Sequence, residues 1–514
     1  MTILVLFLYT CISSSVLVIY VLINQLFTRN INRLPPGPTP WPIVGNLPHI
    51  NGPIPHHSLA TLAKKYGPLM HLRLGCVNVV VAESASVAEQ FLKAHDTNFA
   101  SRPPNSGTKH IAYNNRDLVF APYGPRWRML RKICSLHLFS AKALDDFRHV
   151  REEEVAILTR VLLVHASPVK LGQLLNVCTT NTLARVTLGR RVFADGIEGV
   201  DPKADEFKDM VDELMVLAGE FYIGDYIPAL DRLDFQGITK KMKILHARFD
   251  KFLSMILDEH KIENDASRVD LLTTLISLMN GDDDGEEGKL SDIEIKALLL
   301  NLFTAGTDPP ASTVEWAMAE LIRQPKILKE AREELDKVVG QDRLVTELDL
   351  NRLTFLQAIV KETLRLHPTT PLSLPRLALE SCEVNGYHIP KGSTLLVNVW
   401  AIARDPKMWA NPLEFRPSRF LPGGEKPEAD VKGNDFEIIP FGSGRRMCAG
   451  MRLGMRMVQL LIATLIQTFD WELASGLEPE KLNMEESFGL TLQRAEPLMV
   501  HPRPRLAPQV YESG

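Results

Sequence analysis

The sequence has few cysteines, and none of the spacings that build a disulfide framework or a zinc site. Its six cysteines are scattered over 514 residues without a C-x-x-C pair, and its histidines form no H-E-x-x-H pattern. This usage is typical of a reducing compartment and argues against a protein-ligated zinc. A strong charge of either sign is also missing, because the formal net charge is -4. Nothing indicates electrostatic affinity for nucleic acid.

Charged residues are absent from Met1 to Thr28, where Ile3–Ile23 is mostly Leu, Ile, Val, Phe and Tyr. A helix of this length can cross ~30 Å of hydrocarbon. A cleaved signal peptide is the alternative, but it requires a basic start, a shorter apolar run and a small-residue cleavage site. Here Arg29 and Arg33 follow the run, which predicts a cytosolic location for the rest of the chain. We therefore predict a transmembrane anchor over residues 1–28.

The segment Leu34–Pro42 carries five prolines, which favour an extended, stiff spacer. We predict a proline-rich hinge over residues 29–42 and one catalytic domain over residues 43–514. The length alone would also allow two or three domains. Hydrophobic residues make up 45% and charged residues 23%, as in a globular protein with a substantial core.

Beyond residue 43 the pattern is mainly helical, with strand-like pieces at Met70–Leu74 and Val77–Val81. Ser291 and Glu294 form a capping box that predicts the start of a helix. The following run, Ile295–Phe303, is almost entirely apolar, so this helix is expected in the middle of a large fold. The predicted class is mainly α (α+β), with a large helical domain and a small β-rich region.

A glycine-rich loop, Phe441–Gly450, ends in Cys448 and opens an apolar helix-like segment, Met451–Phe469. A thiol at a helix N-terminus faces free backbone N–H groups and the positive end of the helix dipole, which favours the thiolate. The alternative is a buried, inert cysteine, the usual role of a lone Cys.

This loop resembles the F-x-x-G-x-R-x-C-x-G signature of the cytochrome P450 family. It matches at Phe441, Gly444, Arg446, Cys448 and Gly450. The resemblance spans residues 35 to about 505, and it implies the cytochrome P450 fold. It also implies that these residues bind haem b (iron protoporphyrin IX), with the Cys448 thiolate as the axial iron ligand.

Weaker motifs lie where that family has them. Glu362 and Arg365 are three residues apart on one helix face, a spacing that alone indicates a surface ion pair. The resemblance implies that they join Arg419 to brace the haem-binding loop. It implies further that haem propionates are contacted by Trp127, Arg131, Arg376 and Arg446.

The resemblance also implies the chemistry. A thiolate ligand pushes electron density toward iron and favours O–O cleavage once dioxygen binds. Electrons are expected from NADPH through a partner flavoprotein reductase at the endoplasmic reticulum membrane, in a single-pass arrangement with the catalytic domain cytosolic. Arg445, Arg452 and Arg456 could meet an acidic surface of that partner, or they could form a solvated helix face.

The central helix departs from the family pattern. The family has A-G-x-D-T, whereas this chain reads Ala305-Gly306-Thr307-Asp308-Pro309-Pro310. Asp308 and Thr307 are the predicted catalytic residues, but Pro309 replaces the usual alcohol, and Thr307 or Ser312 could partly substitute. Two interior prolines predict a pronounced kink. The same missing alcohol occurs in haem-thiolate enzymes that rearrange hydroperoxides without a reductase, which is the rival reaction class.

Further segments, such as Gly423–Pro427 (GGEKP), resemble plant flavonoid 3'-hydroxylases. That resemblance implies a flavonoid substrate hydroxylated at the 3' position of its B-ring, in a mainly apolar pocket. A flavonoid 3',5'-hydroxylase or another plant phenolic hydroxylase is the alternative within the family, and a phenolic-binding protein without turnover is the non-enzyme alternative. The expected substrate contacts are Ser106, Phe120, Ala305, Thr370, Leu372 and Leu490.

Overall fold

The computed structural model describes residues 34–512, except residues 51, 53, 166, 194–201, 264–269, 281–288, 488 and 490. Of the first 33 residues it describes Ser15 alone, so the predicted anchor and the start of the hinge lie outside the described residues. In the part of the chain that is described, no helix is both long and apolar enough to cross a membrane.

Helices dominate the fold, as the sequence predicts. The α-helices are α1 (Pro55–Tyr66), α2 (Ala85–Glu89), α3 (Ser106–His110), α4 (Pro125–His137), α5 (Ala141–Asp146), α6 (Arg148–Val164), α7 (Leu171–Leu188), α8 (Pro202–Gly219), α9 (Ile223–Tyr226), α10 (Ile238–Glu263), α11 (Leu271–Asn280), α12 (Asp292–Arg323), α13 (Pro325–Val338), α14 (Thr354–Leu366), α15 (Val399–Ile402), α16 (Met451–Thr468) and α17 (Pro508–Glu512).

The strands form small sheets at the edge of this helical body. They are β1 (Leu69–Leu74), β2 (Val77–Ala82), β3 (Val169–Lys170), β4 (Arg376–Leu377), β5 (Cys382–Val384), β6 (Tyr387–Ile389), β7 (Thr394–Val397), β8 (Phe469–Leu473), β9 (Glu486–Ser487), β10 (Gln493–Arg494) and β11 (Met499–Pro504). The largest sheet has the order β1-β2-β7-β4, with β2 and β7 parallel and the other pairs antiparallel. The β1–β2 hairpin confirms both strands predicted there.

Helix α12 crosses the middle of the molecule. The predicted capping box is present, because the Ser291 hydroxyl accepts from the Glu294 N–H and the Glu294 carboxylate accepts from the Ser291 N–H. The apolar run 295–303 packs into one large hydrophobic cluster, and residues 311–322 pack into another. A helix buried on most of its circumference must be apolar nearly all round, which explains this stretch of sequence.

The expected kink does not break α12, which runs without interruption through Pro309 and Pro310. These prolines remove the N–H groups that would bond to the carbonyls of Ala305 and Gly306. Both of those residues are exposed, so the two carbonyls lose their partners where the backbone is accessible. The two prolines therefore destabilise α12 less than they would in a helical turn that is buried all round, because there the unpaired carbonyls would have no access to water.

Candidate active site

The cysteine loop runs from Phe441 to Gly450 and leads directly into α16. Gly442 and Gly444 have φ angles of 68° and 69°, in the left-handed region that favours glycine. The Cys448 N–H donates to the Phe441 carbonyl over 2.9 Å and closes the loop. The backbone path that presents the cysteine therefore requires glycine at positions 442 and 444, whereas Gly450 has a φ of -86°, which any residue can adopt.

Cys448 lies next to the first turn of α16. Burial raises the pKa of its thiol, while the N–H groups of Gly450 and Met451 and the charge of Arg131 act in the opposite direction. The sequence predicts a favoured thiolate, but among the described residues burial has the larger effect. The sulfur thus needs a further positive charge to remain deprotonated, and a coordinated metal ion supplies one.

Cys448 is exposed, although protein surrounds it closely enough to desolvate it. Such a residue faces a space inside the molecule. Ala305 and Gly306 are also exposed, although they lie in the middle of α12 between buried residues. Accessible surface is therefore available inside the protein, both at the sulfur and at the centre of α12.

Four arginines interact electrostatically with one another, and we call them the arginine cluster: Arg102, Arg131, Arg376 and Arg446. Arg131 also interacts with Cys448. Arg102 donates to the carbonyls of Leu374 and Pro375, at 2.7 and 2.9 Å. Arg376 and Arg446 also donate to backbone carbonyls. However, Nη1 of both is buried without a hydrogen-bond partner among the described residues.

The arginine cluster has an excess of positive charge. Burial, followed by the neighbouring arginines, lowers the pKa of Arg102, and burial lowers the pKa of Arg376 and of Arg446 to about 10. Asp96 is 3.7 Å from Arg376, and Asp117 also acts on the cluster. Buried like charges with unused donors favour an anionic ligand.

Trp127 lies beside this cluster, with the Arg446 guanidinium 4.3 Å from its ring centroid. Its indole N–H donates to the Leu118 carbonyl over 3.0 Å. The predicted contact to a propionate would need that same donor, so in this structure Trp127 supports Arg446 through its ring.

Glu362, Arg365 and Arg419 come together as predicted, and with Glu425 they form a group that we call the brace. The Glu362 carboxylate accepts from Arg365 at 2.7 and 2.8 Å and from Arg419 at 3.2 Å. Arg419 also pairs with Glu425 at 2.6 Å. Since Glu425 lies in the segment between the 3-10 helix Pro417–Phe420 and the cysteine loop, the brace ties that segment to α14.

The predicted catalytic residues of α12 have other partners than expected. The Thr307 hydroxyl donates to the Phe303 carbonyl at 2.8 Å. Ser312 donates to the Leu492 carbonyl at 2.9 Å. Neither contacts Asp308, whose carboxylate accepts instead from the Thr491 hydroxyl and from Gln493. Burial raises the pKa of Asp308.

The predicted substrate contacts lie on separate segments. The Ser106 hydroxyl donates to Asp225 at 2.7 Å. Phe120 is half-buried on a segment fixed to α12, because the N–H groups of residues 118 and 119 donate to Asn301. Thr370 and Leu372 are half-buried between α14 and β4, next to Thr369, whose carbonyl accepts from Leu492. Leu490 lies outside the described residues.

Sequence reasoning missed two of these side chains. Arg102 was detectable, since it is a charged residue in the otherwise uncharged stretch 97–108. Thr491 gave no local signal, because its partner Asp308 is 183 positions away along the chain.

The comparisons agree with this geometry. The sequence model of Cytochrome P450 matches residues 35–500. The chain belongs to the cytochrome P450 family. Its relatives include a flavonoid 3'-monooxygenase of Petunia hybrida, 69% identical over 99% of this chain and 100% of that one. Another is a flavonoid 3'-monooxygenase of Arabidopsis thaliana, 66% identical over 94% of each chain.

The fold also matches a solved cytochrome P450. A zebra fish cytochrome P450, solved with progesterone, superposes with a TM-score of 0.73 at 25% identity. The match covers 88% of this chain and 100% of that one. The predicted fold is thus confirmed for the described residues.

Membership of the family implies haem b with a cysteine thiolate ligand, and electrons from NADPH through a reductase. The residues present fit that group. Cys448 is an exposed residue, and burial raises the pKa of its thiol. Nη1 of Arg376 and of Arg446, which are buried without a hydrogen-bond partner within the described part of the chain, could donate to the two carboxylates of the haem. At the centre of α12, Ala305 is exposed and carries only a methyl group, whereas the side-chain position of Gly306 faces Leu183 of α7.

Proposed function

We propose that this cytochrome P450 is a flavonoid 3'-monooxygenase. It would add one hydroxyl to the 3' position of the flavonoid B-ring, for example converting naringenin to eriodictyol or dihydrokaempferol to dihydroquercetin. Dioxygen supplies the oxygen atom, and NADPH supplies two electrons through the partner reductase. The proposal depends on the 69% identity to a flavonoid 3'-monooxygenase over the whole length of both chains.

The residues have distinct roles in this proposal. Cys448 would ligate the iron, the arginine cluster would bind the haem carboxylates, and the brace would hold the cysteine loop in place. Phe441, Gly444 and Gly450 would shape that loop around the sulfur. A haem with a thiolate ligand supplies dioxygen activation when it is bound. Asp308 and the preceding residue on α12, Thr307, would deliver protons to the site of the reaction.

The proposed substrate would lie along the accessible centre of α12. Ala305 is exposed there, and the segments of Phe120, Thr370 and Leu372 are joined to α12 or to residues 491–493 that contact it. Ser106 and Leu490 complete the proposed pocket. Small and apolar residues with few polar groups suit a flat, neutral phenolic.

The proposed location is the endoplasmic reticulum membrane, with residues 1–28 as the anchor, 29–42 as the hinge and 43–514 as a cytosolic catalytic domain. Exposed apolar side chains near the hinge support it: Trp41 is 60% and Ile43 76% exposed. Gly75 and Cys76 of the β1–β2 turn bond to Val44 and Tyr226, respectively. The turn thus connects the residues just after the hinge to Tyr226, on which Phe221 stacks. Phe221, Leu233 and Phe235 are a second set of exposed apolar side chains.

One observation favours a second candidate, a reductase-independent hydroperoxide rearrangement. Pro309 has no hydroxyl where haem-thiolate monooxygenases of the family usually carry one. This candidate would need neither NADPH nor dioxygen.

A single assay separates the candidates. Microsomes that contain the chain and a plant reductase are given NADPH with naringenin, dihydrokaempferol, apigenin or kaempferol. We expect catechol products with one added hydroxyl, none without NADPH, and none from Cys448→Ser. Trihydroxy B-rings would indicate a 3',5'-hydroxylase. Conversion of a fatty-acid hydroperoxide without NADPH, together with no catechol, would contradict the proposal.

A further inference from the structure

One face of α12 contacts the segment 491–493. Asp308 and Ser312 are four residues apart and both bond to this segment, so they share one face of the helix. Ala305, three residues before Asp308, lies on the same face and is exposed. The segment therefore packs over the carboxylate, next to the accessible centre of the helix.

The two oxygens of Asp308 have different partners. Oδ2 accepts from the hydroxyl of Thr491, which is buried. Oδ1 accepts from Nε2 of Gln493 over 3.0 Å, and Gln493 is exposed. One carboxyl group thus connects a solvent-exposed side chain to a buried hydroxyl.

The segment is held in this position by other bonds. Ser312 and Trp316 both donate to the Leu492 carbonyl, at 2.9 and 3.4 Å. The Leu492 N–H donates to the Thr369 carbonyl at 2.8 Å. The backbone between Thr491 and Gln493 is therefore fixed on both sides, and the two side chains cannot easily leave the carboxylate.

Beyond Thr491, acceptors are available on α12. Pro309 cannot donate to the Ala305 carbonyl, and Pro310 cannot donate to the Gly306 carbonyl. Because Ala305 and Gly306 are exposed, these carbonyls can bind water. Water there would continue a hydrogen-bonded path from the Thr491 hydroxyl along the helix.

We propose that Asp308 and Thr491 form a proton relay from the solvent beside Gln493 to the interior, in which the Thr491 hydroxyl takes the place of an alcohol at position 309. The inference depends on the proposed monooxygenase function, since each turnover consumes two protons when dioxygen becomes one inserted oxygen atom and one water. A buried carboxyl group bonded to an alcohol is suited to this transfer.

Each transfer breaks one O–H bond and forms another. The step starts with a protonated Asp308 that donates from Oδ2 to the Thr491 oxygen, while the Thr491 hydroxyl donates to a water bound at the Ala305 or Gly306 carbonyl. Asp308 gives its proton to the Thr491 oxygen, Thr491 releases its own hydroxyl proton to that water, and the resulting Asp308 carboxylate accepts from Thr491 as in the structure. The Asp308 carboxylate then regains a proton from solvent water beside Gln493. Rotation of the Asp308 carboxyl group and of the Thr491 hydroxyl then returns the relay to its starting state, and one proton has moved inward.

The test compares Thr491→Val, which removes the hydroxyl, with Thr491→Ser, which keeps it. In the haem-loaded chain with reductase and NADPH, we expect Thr491→Val to form roughly tenfold more hydrogen peroxide per catechol, and Thr491→Ser to resemble the wild type. Adding Pro309→Thr to Thr491→Val should restore coupling. Equal coupling in Thr491→Val and the wild type would overturn the relay, as would equal losses in the Val and Ser variants.

A second readout does not depend on turnover. The infrared carboxyl band of Asp308 in the resting protein is assigned by its loss in Asp308→Asn. We expect this band to move in Thr491→Val and to stay in place in Thr491→Ser; a band that is the same in all three proteins contradicts the contact. The band and peroxide formation from NADPH alone are measured without flavonoid, so a failure of the proposed substrate class leaves this test intact.

Discussion

The brace and the arginine cluster are both built mainly from buried arginines, but among the described residues only the brace has enough acidic partners. In the brace, Glu362 and Glu425 accept from Arg365 and Arg419, and backbone carbonyls take further donors. In the arginine cluster, Arg376 and Arg446 each keep a buried Nη1 without a hydrogen-bond partner among the described residues. The brace is therefore complete within the protein, whereas the cluster is suited to an anion from outside.

An arginine whose donors are all paired within the protein is structural by this criterion, whereas an arginine that keeps an unpaired buried donor is suited to binding a ligand. A buried charge without a partner is costly, so a folded protein keeps such a group where a ligand completes it. Removing a member of the brace should destabilise the protein with or without haem. Removing a member of the cluster should weaken haem binding and leave the haem-free fold intact.

The largest effect is expected from Glu362→Gln. The change leaves Arg365 and Arg419 buried without their shared carboxylate, which costs about 3–5 kcal/mol of unfolding free energy. Denaturant unfolding of the haem-free and haem-loaded protein should show the loss in both. The control is Glu425→Gln, whose side chain is 22% exposed, and its loss should be smaller. Equal unfolding midpoints for Glu362→Gln and the wild type would contradict the claim that the brace stabilises the fold.

The next effect is expected from Arg446→Leu. A hydrogen bond to a charged group contributes about 1.5–3 kcal/mol, so haem should dissociate roughly tenfold to a hundredfold more readily. The haem-free protein should lose less stability than in Arg419→Leu, because the relief of like-charge repulsion in the cluster offsets the lost hydrogen bonds to the Ala100 and Ala121 carbonyls. Haem transfer to apomyoglobin measures the first quantity, and denaturant unfolding measures the second. Arg419→Leu should give the reverse pattern, and identical patterns for both variants would contradict the distinction.

The brace, unlike the partners of Asp308, could be predicted from sequence. Glu362 and Arg365 share a helix face, and Arg419 lies in a motif of its own. The family resemblance was therefore enough to predict that these three side chains contact one another. Thr491 and Gln493 could not be linked to Asp308, since no local pattern relates residues over 180 positions apart. The hydroxyls of Thr307 and Ser312 bond to backbone carbonyls, a competition that the sequence does not reveal.

Asp117 interacts with Arg446 of the arginine cluster, and its titration gives a prediction for the pH dependence of stability. Burial raises the pKa of Asp117 to about 6, although Asn301, two backbone N–H groups and Arg446 lower it. Between about pH 4 and 6 the folded protein therefore keeps a proton that the unfolded chain loses. The unfolding free energy of the haem-free protein should fall over this range by about 2–3 kcal/mol and become level above it. Asp117→Asn should abolish this dependence, and an unchanged slope would show that another group titrates.

The smallest effect concerns the arginines beside the cysteine loop that belong to neither group. Arg445 pairs with Asp96 at 2.6 Å, and Arg456 pairs with Asp145 at 2.8 Å. Arg452 is exposed and has no ion pair among the residues that the structure describes.

Arg452 is therefore the member of this third set that is most available to an acidic reductase. Arg452→Glu should raise the KM for the reductase by up to roughly fivefold at low salt without changing kcat or haem content, because exposed charges contribute about 0.2–1 kcal/mol each and salt screens them. The matched control is Arg116→Glu, which makes the same charge change at another exposed arginine. An equal rise in KM for both variants would attribute the effect to net charge, and the arginines of this surface would then be a solvated helix face.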